Sequence, residues 1–176
     1  MIHDILIYPD PRLHQVSQEV TEFDESLHTL LDDMYETMIA RNGVGLAAIQ
    51  IGIAQRALII NIPLEGEEGD DDLVQLPENT LEVINPVITY LSDETVKFQE
   101  GCLSVPGFYE DIERHAAIKL TYQDRHGEHH VIEDDGFLAI ALQHETDHLE
   151  GKLFIEKLSY TKRKKFEKEW RKKKKR

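Results

Sequence analysis

The chain has 176 residues, enough for one domain with a hydrophobic core and too few for two domains of ordinary size. Apolar residues make up 40% of it, and none of its apolar runs reaches the length of a membrane span, so no membrane-spanning helix is expected. The first residues lack a basic region followed by an apolar core, so no secretory signal is predicted. The single cysteine, Cys102, cannot form an intramolecular disulfide, which favours a reducing, cytoplasmic compartment.

The net charge of −14 is unevenly distributed along the chain. Residues 161–176 contain eleven Lys or Arg and two Glu, a net charge of +9, so residues 1–160 carry −23. An acidic body with a basic tail indicates an anionic partner for the tail. The alternative is a solvated helix end without a partner. No membrane or DNA partner is expected.

The first third of the chain predicts an irregular start and then a helix. Pro9 and Pro11 indicate an extended segment within residues 5–20. Residues 24–41 carry leucines and methionines at helical spacing, with Asp24 as the expected cap and Gly43 beyond the end.

Residues 43–52 combine two glycines and two alanines with a single polar side chain, Gln50. Small residues allow the backbone to approach another group closely. A phosphate-binding loop is the weaker alternative, because no Lys-Ser/Thr pair follows and no third glycine has dinucleotide spacing. Gln50 in an apolar stretch needs a hydrogen-bond partner, either a ligand oxygen or the local backbone.

The middle of the chain predicts strands and turns. Residues 56–62 are rich in β-forming types, and the acidic run of residues 65–72 predicts a solvated surface loop. Residues 81–90 predict a strand that is either at a sheet edge or kinked, because Pro86 lies within it. Residues 112–122 predict a further strand, which a turn at residues 124–127 joins to a return strand at residues 130–132.

Two later stretches carry groups that can bind a metal. Cys102 lies between a glycine and a leucine in residues 97–107, where it is either an inert buried thiol or a ligand. Residues 144–148 read His-Glu-Thr-Asp-His, and on a helix His144 and His148 leave the same face and can meet one ion. Glu145 lies beside the first histidine, where its carboxylate can reach a metal-bound water. Asp134 or Asp135 is the expected cap of this helix.

A charged helix is predicted for residues 160–176, with Phe166 and Trp170 packing on the body of the protein or on a partner. The sequence therefore divides into a domain of residues 1–160 and a basic helical tail of residues 161–176.

One thiolate and two imidazoles form a suitable ligand set for a divalent transition metal, with a fourth position left for water. Three motifs occur together and in the order typical of one family: Gly-Val-Gly-Leu-Ala-Ala-Ile-Gln at residues 43–50, Glu-Gly-Cys-Leu-Ser at residues 100–104 and Gln-His-Glu-Thr-Asp-His at residues 143–148. In this combination the chain closely resembles the bacterial-type peptide deformylases, over roughly residues 1–160.

The resemblance implies a single α+β domain in which antiparallel strands surround a metal-bearing helix. It implies one metal ion per chain, usually Fe²⁺ with Zn, Ni or Co as substitutes, held by Cys102, His144 and His148. The implied reaction is hydrolysis of the N-formyl group of formylmethionine on nascent polypeptides, with release of formate. Glu145 would activate the metal-bound water, and the oxyanion would be held by the metal, Gln50 and the Leu103 amide.

The resemblance also implies a substrate site. The peptide would lie extended beside the Val44 and Gly45 backbone. The methionine side chain would enter an apolar pocket, whose expected lining is Val44, Glu100, Phe137, Ile140 and Ala141; ordinary core packing is the alternative for these residues.

In bacterial members of the family the C-terminal helix can dock on the ribosome, so ribosomal RNA or protein is the expected partner of the tail. Two rival functions remain at this stage. A zinc peptidase is disfavoured by the cysteine ligand, and a metal-stabilised binding protein would have no need of Glu145 as a base.

Overall fold

A computed structural model describes residues 1–65 and 73–174 and shows an α+β fold. Its helices are α1 (Glu25–Ala40), α2 (Phe137–Leu149) and α3 (Tyr160–Lys174). Its strands are β1 (Gly45–Ala47), β2 (Ala57–Ile60), β3 (Leu64–Glu65), β4 (Leu73–Val74), β5 (Leu81–Leu91), β6 (Thr95–Cys102), β7 (Val105–His115), β8 (Ile118–Gln123) and β9 (His129–Asp134). The acidic run predicted as a surface loop lies outside the described residues, apart from Glu65. None of the helices in the described ranges has the length and apolar character needed to cross a bilayer.

The strands form one larger sheet and two separate hairpins. The larger sheet has the order β1-β2-β5-β8-β9, and all its neighbouring strands are antiparallel. Strands β3 and β4 form one hairpin, and β6 and β7 form the other. The hairpin predicted around residues 124–127 is confirmed, because β8 and β9 pair across that turn.

Strand β5 is a kinked strand in the middle of the sheet. Of the two alternatives from the sequence, the edge position is wrong, because β5 pairs with β2 on one side and β8 on the other. The register shifts between Ile84 and Val87, and Asn85 between them has a φ of 52°. Pro86 lies within this irregularity, where a missing N–H does not interrupt the ladder.

The β6–β7 hairpin corrects the single strand predicted for residues 112–122. That range includes the end of β7 and most of β8, which are separated at Ala116 and Ala117. A run of β-forming residues does not show where pairing changes from one sheet to another, since this depends on tertiary contacts. The hairpin places Cys102 at the end of β6.

Helix α1 forms as predicted. The Asp24 side chain accepts a hydrogen bond from the Leu27 N–H at 3.1 Å, which caps the helix. Its leucines and methionines, Leu27, Leu30, Leu31, Met34 and Met38, are buried against one face of the large sheet.

Helix α2 is buried against the opposite face of the large sheet. Ala139, Leu142 and Leu149 pack with residues of β2, β5 and β8. The cap residue is Gly136, and Asp134 accepts hydrogen bonds from the backbone N–H groups of Gly136 and Ala139 at 2.9 and 2.8 Å. Asp134, and not Asp135, therefore stabilises the first turn. Gly151 follows the helix with a φ of 73°, and a side chain there would collide with the His14 carbonyl.

Helix α3 packs on the body of the protein through its aromatic residues. Phe166 is 1% exposed, and its ring centroid lies 4.5 Å from that of Phe108 on β7. The ring centroid of Trp170 lies 5.8 Å from that of Tyr8. Of the two surfaces considered from the sequence, the body is the one that these residues contact.

Candidate active site

The end of β6 and the second half of α2 bring three possible metal ligands together. Ligand atoms of Cys102, His144 and His148 all lie within 4.8 Å of one another. The Cys102 Sγ is 3.5 Å from the His148 Nε2, and the two imidazole rings are 5.2 Å apart. Both histidines are buried, as expected for residues that α2 carries into the interior. The described residues contain a second such group, Asp124, Glu128 and His130, which lies at the surface on the β8–β9 turn and the start of β9.

The surroundings of the three groups suit a divalent cation. Burial, together with His144 and Arg114, holds the pKa of His148 well below its usual value, so this imidazole is neutral and able to bind metal. Burial also acts to lower the pKa of His144, but hydrogen bonds with Cys102 and Glu100 and the Glu145 charge raise it well above its usual value. Surroundings that favour a proton on His144 also favour a metal ion in its place.

Glu145 is a buried carboxyl group with one free oxygen. It is 6% exposed, and its Oε2 has no hydrogen-bond partner within the described part of the chain. Burial raises its pKa to about 7, against a smaller opposing effect of His144. Buried polar atoms are normally paired, so the free oxygen indicates a water molecule or a ligand at this position. A pKa near 7 is also suited to taking up and releasing a proton.

Gln50 lies beside the cysteine with its amide held in place. It is 1% exposed, and its Oε1 accepts a hydrogen bond from the Ala47 N–H at 2.9 Å. Its Nε2 donates to the Ser104 hydroxyl at 3.0 Å and lies 3.5 Å from the Cys102 Sγ. Of the two alternatives for Gln50, the structure shows the local backbone as the partner of its oxygen. Its nitrogen is directed towards Ser104 and the cysteine, and a contact with a ligand oxygen stays a prediction.

A cleft of about 450 Å³ opens over these groups. It is lined by every residue predicted to bind substrate, namely Val44, Gly45, Glu100, Phe137, Ile140 and Ala141. Gln50, Cys102, Leu103, His144 and Glu145 also line it, whereas His148 lies beneath them.

Glu100 differs from its expected environment. It was expected to line an apolar pocket, but its carboxylate accepts two hydrogen bonds from Arg114 and one from His144, each at 2.8 Å. Burial alone would raise its pKa, yet the hydrogen bonds from Arg114 and His144 lower it to about 2. Glu100 is therefore a buried anion beside a possible metal ligand.

Sequence reasoning missed several residues of this region. Arg114 and Asp147 lie behind the ligands, Ser104 binds Gln50, and Phe98 and Tyr109 line the outer cleft. A signal existed for Arg114, because it lies two residues after Ile112 on a strand and therefore on the same, buried face. A cation in that position requires buried anionic partners.

Two strand edges border the cleft. Strand β1 is the last strand of the large sheet. Strand β6 belongs to the separate β6–β7 hairpin, in which only one of its two edges is paired with β7. Residues of both strands line the cleft between them, Gly45 on one side and residues 98–102 on the other. An extended peptide could therefore pair with either edge.

Comparisons with known proteins agree with this geometry. Residues 2–164 match the family described as polypeptide deformylase. The chain is 56% identical to the peptide deformylase of Campylobacter jejuni, over 99% of this chain and 97% of the relative. It is 59% identical to the peptide deformylase of Wolinella succinogenes, over 96% and 95%.

Solved structures of peptide deformylases also match this chain over nearly its full length. The crystal structure of peptide deformylase from Ehrlichia chaffeensis matches with a TM-score of 0.85 and 42% identity, over 99% of this chain and 97% of that one. The same enzyme in complex with actinonin also matches with a TM-score of 0.85, at 43% identity over 98% and 97% of the two chains. The three sequence motifs, the cleft that they line and the nearly full-length relatives all indicate the same family. The chain therefore belongs to the peptide deformylases, the metal-dependent hydrolases that remove the N-formyl group from nascent peptides.

Proposed function

We propose that Cys102, His144 and His148 hold the catalytic metal of this deformylase and that the ion is Fe²⁺. A thiolate with two imidazoles also accepts Zn, Ni or Co, so these ions are possible substitutes. The proposal is supported by the short distances among the three ligand atoms and by the anionic surroundings of His144. When bound, the ion supplies Lewis acidity, which lowers the pKa of water and polarises a carbonyl.

The remaining chemistry belongs to side-chain and backbone groups that line the cleft. Glu145 takes the proton of the attacking water and passes it to the amine that leaves when the C–N bond breaks. The Gln50 Nε2 and the Leu103 N–H donate hydrogen bonds to the oxygen that becomes negative in the tetrahedral intermediate. The observation that carries this proposal is the buried Glu145 oxygen, which has no partner among the described residues and lies next to three side chains that could hold a metal.

The substrate peptide lies extended along β1, with its backbone paired to Val44 and Gly45. Its methionine side chain enters the apolar part of the cleft formed by Phe137, Ile140, Ala141 and the aliphatic part of Glu100. Two features support this placement: the edge of β1 that pairs with no other described strand, and the apolar residues from the start of α2.

Formate release from a formyl-Met tripeptide tests the proposed roles. The protein is purified without oxygen, and Ni-substituted protein and Glu145→Ala are measured alongside it. We expect formate from both wild-type forms, little from the variant, and the metal content of the variant to be unchanged. Equal turnover by Glu145→Ala would contradict the assigned base. Mass spectrometry of the product distinguishes deformylation from peptide-bond cleavage.

We further propose that the chain consists of a catalytic domain at residues 1–160 and a basic helical tail at residues 161–176 that docks on the ribosome. Phe166 faces the body, while Lys164, Lys165 and Lys168 are exposed and available to phosphate groups. Action on nascent peptides also supports a cytoplasmic location, which fractionation of cells would test.

Cosedimentation with ribosomes over a range of salt concentrations tests the docking. Truncation after Tyr160 removes the tail, but it also removes the buried Phe166, so a second variant is needed. Lys164→Gln, Lys165→Gln and Lys168→Gln together leave the packed face intact. We expect both variants to bind more weakly than the full chain and wild-type binding to fall as salt rises. Unchanged, salt-independent binding by both variants would show that the tail is not the docking element.

A further inference from the structure

Arg114 is a buried cation that the reaction does not use directly. Its side chain is 3% exposed, on strand β7. Its Nε and Nη2 donate to the two carboxylate oxygens of Glu100, each at 2.8 Å, and its Nη1 donates to Asp147 at 2.6 Å. Burying a charge is costly unless it is paired and hydrogen-bonded, and here one guanidinium satisfies two carboxylates.

The two carboxylates belong to the two elements that carry the proposed metal ligands. Glu100 is on β6, two residues before Cys102. Asp147 is on α2, between His144 and His148. Arg114 therefore connects α2 to β6 and so fixes the distance between the thiol and the imidazoles.

Glu100 extends this connection to a ligand atom. Its Oε1 faces the His144 Nδ1 at 2.8 Å. Because a carboxylate accepts hydrogen bonds, Nδ1 carries the hydrogen, and Nε2 presents its lone pair to the space shared with Cys102 and His148. The bidentate contact with Arg114 prevents the Glu100 carboxylate from turning away.

We propose that Arg114 is a positioning residue for the metal centre: through Glu100 it fixes the tautomer and orientation of His144, and through Asp147 it holds α2 against β6. The proposal rests on the assignment of Cys102, His144 and His148 as ligands. Arg114 acts on the affinity of the site for metal, before any contact with substrate.

The protein contains a matched control for the loss of a guanidinium. Arg125 makes the same type of contact, donating to both carboxylate oxygens of Glu82 at 2.8 and 2.6 Å and to Asp32 at 2.9 Å. Glu82 is on β5 and Asp32 on α1, so this ion pair connects elements that carry none of the proposed ligands. Arg125→Met therefore removes ion pairs of the same pattern away from the site, at a side chain that is 28% exposed where that of Arg114 is 3% exposed.

The test is a Co²⁺ titration of the purified full-length protein in competition with a chromophoric chelator. The visible absorption spectrum of thiolate-bound cobalt is recorded on the same samples. We expect Arg114→Met and Glu100→Gln to weaken Co²⁺ binding by about 10- to 100-fold and to alter the spectrum, as is typical when a partner of a metal ligand is lost. Arg114→Lys should lie between wild type and Arg114→Met, because it retains the charge and loses the bidentate contact.

Arg125→Met should bind Co²⁺ as tightly as wild type, although its melting temperature falls. Should Arg114→Lys and Glu100→Gln keep wild-type Co²⁺ affinity and spectrum, Arg114 has only a structural role and the proposal is overturned. These two variants decide the question even where Arg114→Met does not fold. Cys102→Ser and His148→Ala test the assignment of the metal ligands on which this proposal rests. Wild-type Co²⁺ affinity in both variants would overturn the metal site and, with it, this proposal.

Discussion

Gly45 and Glu145 lie so close together that the backbone of β1 limits where the carboxylate can go. A Cβ atom on residue 45 would lie 2.6 Å from the Glu145 Oε1. The sequence indicated a close backbone approach in residues 43–52, and the structure shows that one of the approaching groups is the proposed base.

We predict that Gly45→Ala lowers kcat by about 10- to 100-fold, because displacing a catalytic group by about 1 Å has an effect of this size. Metal content should be unchanged, since the ligands lie elsewhere. Gly136→Ala is the control, because a Cβ there meets its nearest atom at 3.7 Å, an ordinary contact. Steady-state kinetics and metal analysis provide the measurements, and wild-type kcat in Gly45→Ala would mean that Glu145 can act from another position.

Gln50→Leu is expected to lower kcat about a hundredfold, because it removes one donor to the oxyanion. It should also destabilise the fold by about 1–3 kcal/mol, since the buried Ala47 N–H loses its acceptor. Ser104→Ala removes only the hydroxyl that the Gln50 Nε2 contacts, and its effect on kcat should be smaller. Kinetics and chemical denaturation separate the two effects. A fully active Gln50→Leu protein would exclude the oxyanion role.

Spacing along the sequence predicted contacts only within one local element. His144 and His148 are four apart on one helix, so their convergence follows from the helical repeat. Arg114 could not be linked to Asp147 in this way, because 33 residues separate them and their contact depends on the packing of β7 against α2.

At the scale of elements, helix α3 joins the body through a cluster of aromatic side chains. Phe166 contacts Tyr8 and Phe108, and Phe108 in turn stacks on Phe154, whose ring lies 5.9 Å from that of His144. The tail thus continues the packing that surrounds a proposed metal ligand.

Phe166→Ala should reduce the free energy of unfolding by about 3–5 kcal/mol, the usual result of truncating a fully buried phenylalanine. Tyr160→Ala on the same helix is the control, because Tyr160 is 78% exposed and should change stability by less than about 0.5 kcal/mol. Trp170 is the only tryptophan, so its fluorescence during chemical denaturation reports on α3 directly. Equal stabilities of the two variants would show that α3 is undocked in solution.

Local sequence patterns predicted the helices better than the sheet pairing. The leucine and methionine spacing of α1 and the Asp24 cap were sufficient for that helix. By contrast, the break between β7 and β8 at Ala116 and Ala117 has no proline or glycine to indicate it. The interior position of β5 could not be predicted from the sequence either, since its proline suggested an edge strand.

At the scale of the whole molecule, the proposed metal ion would connect β6 to α2. Chelation should therefore lower stability as well as activity, because an ion that binds only the folded state stabilises it by about 2.7 kcal/mol when its free concentration is 100 times Kd. Calorimetry with and without chelator measures the shift in melting temperature. Cys102→Ser should show a much smaller shift. An identical shift in both proteins would place the stabilising ion elsewhere.

The two strand edges that border the cleft have a consequence for the range of substrates. A peptide paired with both β1 and β6 would join two separate sheets into a single one, with its own backbone as the missing strand. Such binding depends on N–H and C=O groups that nearly every residue possesses. Selectivity would then be confined to the first side chain, and the enzyme could accept the many different sequences with which a cell's proteins begin.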